Sequence, residues 1–77
     1  MTDDLPARLP VGTNVKLAVA TPSGTVWKFG RIERDGMMWS SRSVTPSGTV
    51  IEIMGPAEIL PADAAVPVTE QEWARVF

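Results

Sequence analysis

The chain contains neither cysteine nor histidine. These two absences together remove disulfides, thiol nucleophiles, thiolate or imidazole metal sites and imidazole acid–base chemistry. Structural zinc, haem and Ser-His-Asp catalysis are excluded with them. No apolar run approaches the ~18 residues that a bilayer span requires. No glycine-rich phosphate loop is present, since Gly24 and Gly48 each stand in a hairpin turn. The start, Met1-Thr2-Asp3-Asp4, is acidic where a signal peptide needs a basic region, so a cytoplasmic or virion-contained protein without membrane contact is expected.

What remains is a chain of 77 residues and 8.3 kDa, the size of one small domain. Such a chain buries about 60% of its unfolded surface, and its core rarely contributes more than ~3–5 kcal/mol without disulfides, metals or partners. Hydrophobic residues make up 44%, charged residues 21%, and the mean hydropathy is +0.06, the balance of a folded soluble domain. The net charge of −2 argues against a protein built wholly around nucleic acid.

The clearest pattern is a repeat: Thr21-Pro22-Ser23-Gly24-Thr25-Val26 recurs as Thr45-Pro46-Ser47-Gly48-Thr49-Val50, 24 residues later. Pro presets φ at the first turn position and Gly takes the left-handed one, which predicts a three-residue hairpin loop with a glycine bulge. That loop would pair Val19 with Trp27 and Leu17 with Phe29, placing both aromatic residues with Val15, Leu17 and Val19 on one face. Lys16, Lys28, Ala18, Ala20 and Val26 would take the other. The second copy would pair Ser43 with Ile51 and Ser41 with Ile53, group Trp39 with Ile51 and Ile53, and set Arg42 opposite Glu52.

Asp35-Gly36 predicts a type I′ two-residue turn joining the hairpins into a four-strand meander. From that turn Ile32 pairs with Trp39, and the change of face parity after Phe29 predicts a bulge at Gly30 that bends the second strand. In residues 55–61 two prolines, Pro56 and Pro61, bracket the short Ile59-Leu60 segment, which predicts a last edge strand in preference to a single 3₁₀ turn, and residues 61–67 predict an extended connector. Thr69 and Glu72 form a capping box, with Val68 and Trp73 placed as a hydrophobic staple. Trp73 and Phe77, four residues apart, then share the face of a short C-terminal helix that would plug an open barrel end. The expected fold is mainly β: a small SH3-like barrel or two-hairpin sandwich of about four or five antiparallel strands, capped by that helix. Residues 1–10, spaced by Pro6 and Pro10, read as an extended arm, 11–60 as the barrel and 61–77 as connector and cap.

Gly12 to Val15, Ser23-Gly24, Trp27, Gly30-Arg31-Ile32 and Ile51-Glu52-Ile53-Met54 together resemble, in outline, the plasmid-type (type II) dihydrofolate reductases. The resemblance implies an SH3-like barrel. That family works through a Val-Gln-Ile-Tyr stretch, and Glu52 and Met54 stand here at the Gln and Tyr positions. A carboxylate and a thioether cannot supply those contacts, so the resemblance extends to the fold and not to the reductase activity.

Enzyme chemistry is not expected, because only carboxylates, hydroxyls and two lysines are on hand. Glu33, Asp35, Glu52 and Glu58 lack metal-ligand spacing, and Ser40, Ser41 and Ser43 lack a base. No cofactor is implied. Binding is the better expectation. Residues 16–42 hold five bases, Lys16, Lys28, Arg31, Arg34 and Arg42, against two acids, for a net of +3, while the rest of the chain nets −5. These bases form a candidate strip on the outer wall for an acidic protein surface or, as the alternative, nucleic acid. Met37 and Met38 beside the turn are a candidate adaptable contact patch. The first reading is therefore a non-enzymatic protein-interaction module or self-associating subunit, adaptor or inhibitor in a larger assembly such as a phage or viral particle.

Overall fold

The computed structural model describes residues 9–77. The strands are β1 (Asn14–Thr21), β2 (Gly24–Arg34), β3 (Met37–Val44), β4 (Val50–Glu52), β5 (Glu58–Pro61) and β6 (Val66–Pro67), followed by the helix α1 (Glu70–Val76). All strand pairs are antiparallel, and the order is β4-β3-β2-β1-β6, with β5 pairing the other half of the β3 edge. The sheet is not closed into a barrel. The expected meander and short edge strand are present, and the expected connector also contains β6, whose Val66 and Pro67 pair with Lys16 and Val15. Most of the expected arm lies outside the described residues; Leu9, at its end, packs on the core.

The two copies of the repeat form different loops. At the second, the Gly48 amide donates to the Thr45 carbonyl at 2.8 Å and the Thr45 amide to the Thr49 carbonyl at 2.9 Å, and Gly48 has φ of +91°. This is the expected three-residue loop, and the expected pairs Ser43–Ile51 and Arg42–Glu52 follow. At the first copy Thr21 pairs directly with Gly24, leaving only Pro22-Ser23 in the loop. The predicted register is therefore off by one residue there: Ala18 faces Trp27, Leu17 faces Lys28 and Val19 faces Val26. A one-residue slip moves each side chain to the opposite face.

This slip gives the sheet two apolar faces. One carries Val15, Ile32 and Met38, all buried, with Leu9, Leu17, Leu60, Ala62 and Ala65 packed on them. The other carries Trp27, Phe29 and Trp39 and is covered by α1, where Phe29 is 4% and Val76 7% exposed. Aromatic rings need a deep layer, which the helix supplies with Trp73 and Phe77, stacked at a centroid distance of 4.0 Å. Packing thus overrides local loop preference at the first copy. The helix lies on this sheet face through contacts with β3, where a barrel plug was expected.

Two irregularities set the β2–β3 register. The first lies between Phe29 and Gly30, where the bulge was expected, but the extra residue is Ser41 on β3. The buried Ser40 hydroxyl lies 2.9 Å from the Phe29 carbonyl and 3.2 Å from that of Arg42, so it donates into the distorted stretch. The second inserts Glu33: the Asp35-Gly36 turn pairs Arg34 with Met37 as predicted, with positive φ at Gly36 but not at Asp35 and so not in the expected type I′ form, yet Ile32 then pairs with Met38 and not with Trp39. That shift takes Met38 into the core at 0% exposure.

Candidate functional site

The structure disperses the predicted basic strip. Lys28 shares the Leu17 face and donates to Glu58 at 2.9 Å, whereas Lys16, Arg31 and Arg42 lie on the helix-covered face. Lys16 donates to Glu72 of the helix at 2.6 Å and sits 4.6 Å from the Trp27 ring centre. Arg42 donates to the Val76 carbonyl at 2.6 Å and lies over Phe77 at 4.8 Å, with Glu52 at 3.9 Å. Arg31 bonds the Asn14 side chain at 2.8 Å and lies 5.4 Å from Trp73 and 6.0 Å from Trp39. These cations therefore hold the C-terminal helix on the sheet through charge-assisted and cation–π contacts. Arg34 stands exposed next to the Asp35-Gly36 turn, at the far end of β2 from the repeat loops.

The methionine patch is corrected in the same way. Met38 is core, and Met37 is half-buried opposite Pro61. Among the described residues the exposed methionine is Met54, at 92%.

The repeat loops stand side by side at one end of the sheet, with Thr21, Ser23, Val26, Thr45, Pro46, Ser47 and Thr49 around a shallow groove. The hydroxyls of the second loop bond to one another and to its backbone: Thr45 to Ser47 at 3.0 Å, and the Thr49 amide to Thr45 at 3.1 Å. They are spent on holding the turn. Among the described residues no cluster of three or more acidic side chains could hold a metal, and no helix is long and apolar enough to cross a membrane.

One edge stands out by its backbone chemistry, since exposed apolar residues also lie on β5 (Ile59) and β6 (Val66). On β4, Val50 is 42% and Ile51 49% exposed, and Met54 follows two residues beyond the strand. Sequence reasoning assigned Ile51 to a core with Trp39. Instead Ile51 pairs with Ser43 on the face opposite Trp39, because the extra Ser41 breaks the alternation between them. β4 is also the end of the strand order, so one of its sides meets no other described strand. The Ile53 amide donates to the Ser41 carbonyl and the Thr45 amide to that of Thr49, so Thr49, Ile51 and Ile53 direct their backbone groups to β3. Val50 and Glu52 direct theirs outward. The other edges are blunted: β5 ends in Pro61, and β6 contains Pro67. β4 has neither proline nor lysine, and its single charge, Glu52, lies opposite Arg42.

Comparison with protein-family models, with curated proteins and with solved structures finds no match to this chain. The β4 edge is consequently assigned on its own geometry.

Proposed function

We propose that the chain is a non-enzymatic protein-interaction module that binds through the open edge of β4, as a small subunit or adaptor of a larger assembly. The observation that supports this reading is an unblunted edge strand whose two apolar side chains, Val50 and Ile51, are both more than two-fifths exposed. Outward N–H and C=O groups give such an edge affinity, and the alternating side chains give it selectivity. The strongly curled sheet, in which only residues 62–65 separate β5 on one edge from β6 on the other, supports an SH3-like assignment for the scaffold. The nucleic-acid reading has less support, because Lys16, Lys28 and Arg42 are engaged by Glu72, Glu58 and the Val76 carbonyl.

The test is selection of peptides from a random library on the immobilised full chain. The reading expects extended, β-prone apolar peptides whose binding is lost in Ile51→Lys and kept in Arg34→Glu. Selected peptides that bind Ile51→Lys as tightly as the parent would overturn it. So would tight binding of a single-stranded oligonucleotide that weakens steeply with salt and is lost in Arg34→Glu.

A further inference from the structure

We infer that the occupant of the β4 edge is a second copy of this chain, joined antiparallel about a two-fold axis through Ile51. The inference rests on the reading of β4 as the contact edge and adds the partner and the register.

The outward backbone groups on this edge belong to Val50 and Glu52, two residues apart. An axis through Ile51 sets Val50 of each copy opposite Glu52 of the other, so each outward pair exchanges both of its hydrogen bonds. The two Ile51 residues then form the intervening non-hydrogen-bonded pair, where side chains approach most closely, and two half-exposed isoleucines cover each other. The neighbouring registers are worse. An axis through Glu52 places two carboxylates directly opposite, which destabilises the pair. An axis through Val50 sets Glu52 against Gly48, whose φ of +91° belongs to the loop and cannot continue a strand. The segment is thus self-complementary in one register, which is the requirement of a two-fold interface.

Arg42 opposite Glu52 within each copy offsets the one charge brought to the seam. The joined sheets would run through the seam from β6 of one copy to β6 of the other. The seam is short, and the association it gives is weak and concentration-dependent.

The absence of cysteine makes the test clean. In a non-hydrogen-bonded antiparallel pair the Cα atoms lie about 4.5 Å apart, within the range that a disulfide spans. Full-length Ile51→Cys should therefore oxidise to a covalent dimer about ten-fold or more faster than Ala64→Cys, an exposed control in the 62–65 turn. Val50→Cys, which faces Glu52 of the second copy, should lag behind Ile51→Cys. In light scattering the parent mass should rise from 8.3 kDa towards twice that with concentration, and Ile51→Lys should stay at 8.3 kDa. Cross-linking of Ile51→Cys no faster than Ala64→Cys, or slower than Val50→Cys, overturns the proposal. Amide exchange separates this failure from failure of the underlying reading. If Val50 and Glu52 exchange fast at every concentration, the edge is open and only self-pairing falls. If they are protected in the dilute monomer, the chain covers its own edge and both fall.

Discussion

A Cβ built on Gly30 would stand 1.6 Å from the carbonyl oxygen of Trp39 and 2.9 Å from the Cα of Ser40. β2 and β3 are in backbone contact at this point because Ser41 bulges out of the ladder, and only a residue without a side chain lets them approach. Gly30→Ala must push the two strands apart at the centre of the sheet. The expected loss exceeds ~4 kcal/mol, which matches the whole stability available to a domain of this size, so the variant should be unfolded by circular dichroism. Gly12→Ala is the control. Its φ of +92° is strained for alanine, but nothing lies within 4 Å of the added carbon. It should lose only ~1–3 kcal/mol and retain a cooperative urea transition. A folded Gly30→Ala would show that the close approach is not required.

The insertion of Glu33 gives two adjacent methionines opposite fates. Met38 has 0% exposure and packs with Val15 and Ile32, whereas Met37 is half-buried against the proline end of β5. Met38→Ala is expected to cost ~2–5 kcal/mol through lost transfer energy and the cavity it leaves. Met37→Ala should cost much less. Urea midpoints of the two variants measure the difference, and equal midpoints would return the pair to the exposed patch that the sequence predicts.

Legibility differs from element to element for physical reasons. The second repeat loop and the Arg42–Glu52 pair are local chemistry and form as read, while the Asp35-Gly36 turn sits at the expected place without the positive φ at Asp35 that type I′ needs, and only the Thr69 half of the capping box forms. The first loop has the same six residues and still closes one residue tighter, because Trp27 and Phe29 are drawn to the helix side by packing that no local pattern encodes. Gly30 marked the right place for a bulge. Nothing in the sequence said that Ser41, on the opposite strand, would be the extra residue, or that Glu33 would shift Met38 inward. Two-residue β6 is below the length at which alternation can be read. The candidate site was hidden by the same reasoning: Ile51 and Ile53 read as part of an apolar face with Trp39, and only the strand order shows that β4 ends the sheet.

The helix is held by a cap and by a charge pair, and these respond differently to salt. The Thr69 hydroxyl accepts from the Glu72 amide at 3.1 Å, while the Glu72 carboxylate leaves the capping box to receive Lys16 at 2.6 Å. Thr69→Ala should lose ~1 kcal/mol at any ionic strength. Lys16→Gln should lose less, ~0.2–1 kcal/mol after solvent screening, since the two side chains are 24% and 34% exposed. That smaller loss should shrink in 1 M salt, where screening acts within about 3 Å. Urea titrations followed by tryptophan fluorescence at two salt concentrations provide the check. A Lys16→Gln penalty that is undiminished by salt would mean that the lysine acts through its stem on Trp27 and not through its charge.

The unequal repeat loops predict unequal tolerance at their glycines. Gly48 has φ of +91° with nothing within 4 Å of an added Cβ, so Gly48→Ala incurs backbone strain alone, ~1–3 kcal/mol. Gly24 has φ of +124°, and an added Cβ would lie 3.1 Å from both Cβ and Cγ of Pro46 in the other loop. Gly24→Ala therefore adds a clash between the two copies to the strain within one, and Pro46, fixed by its ring, cannot rotate away. Its loss should exceed that of Gly48→Ala. Pro46→Ala would relieve part of the clash, so the double variant Gly24→Ala with Pro46→Ala should be less destabilised than the sum of its parts. Urea unfolding of the four chains closes this double-mutant cycle. Strict additivity would mean that the two loops do not support each other, and the repeat would then be two separate turns that share a sequence and nothing else.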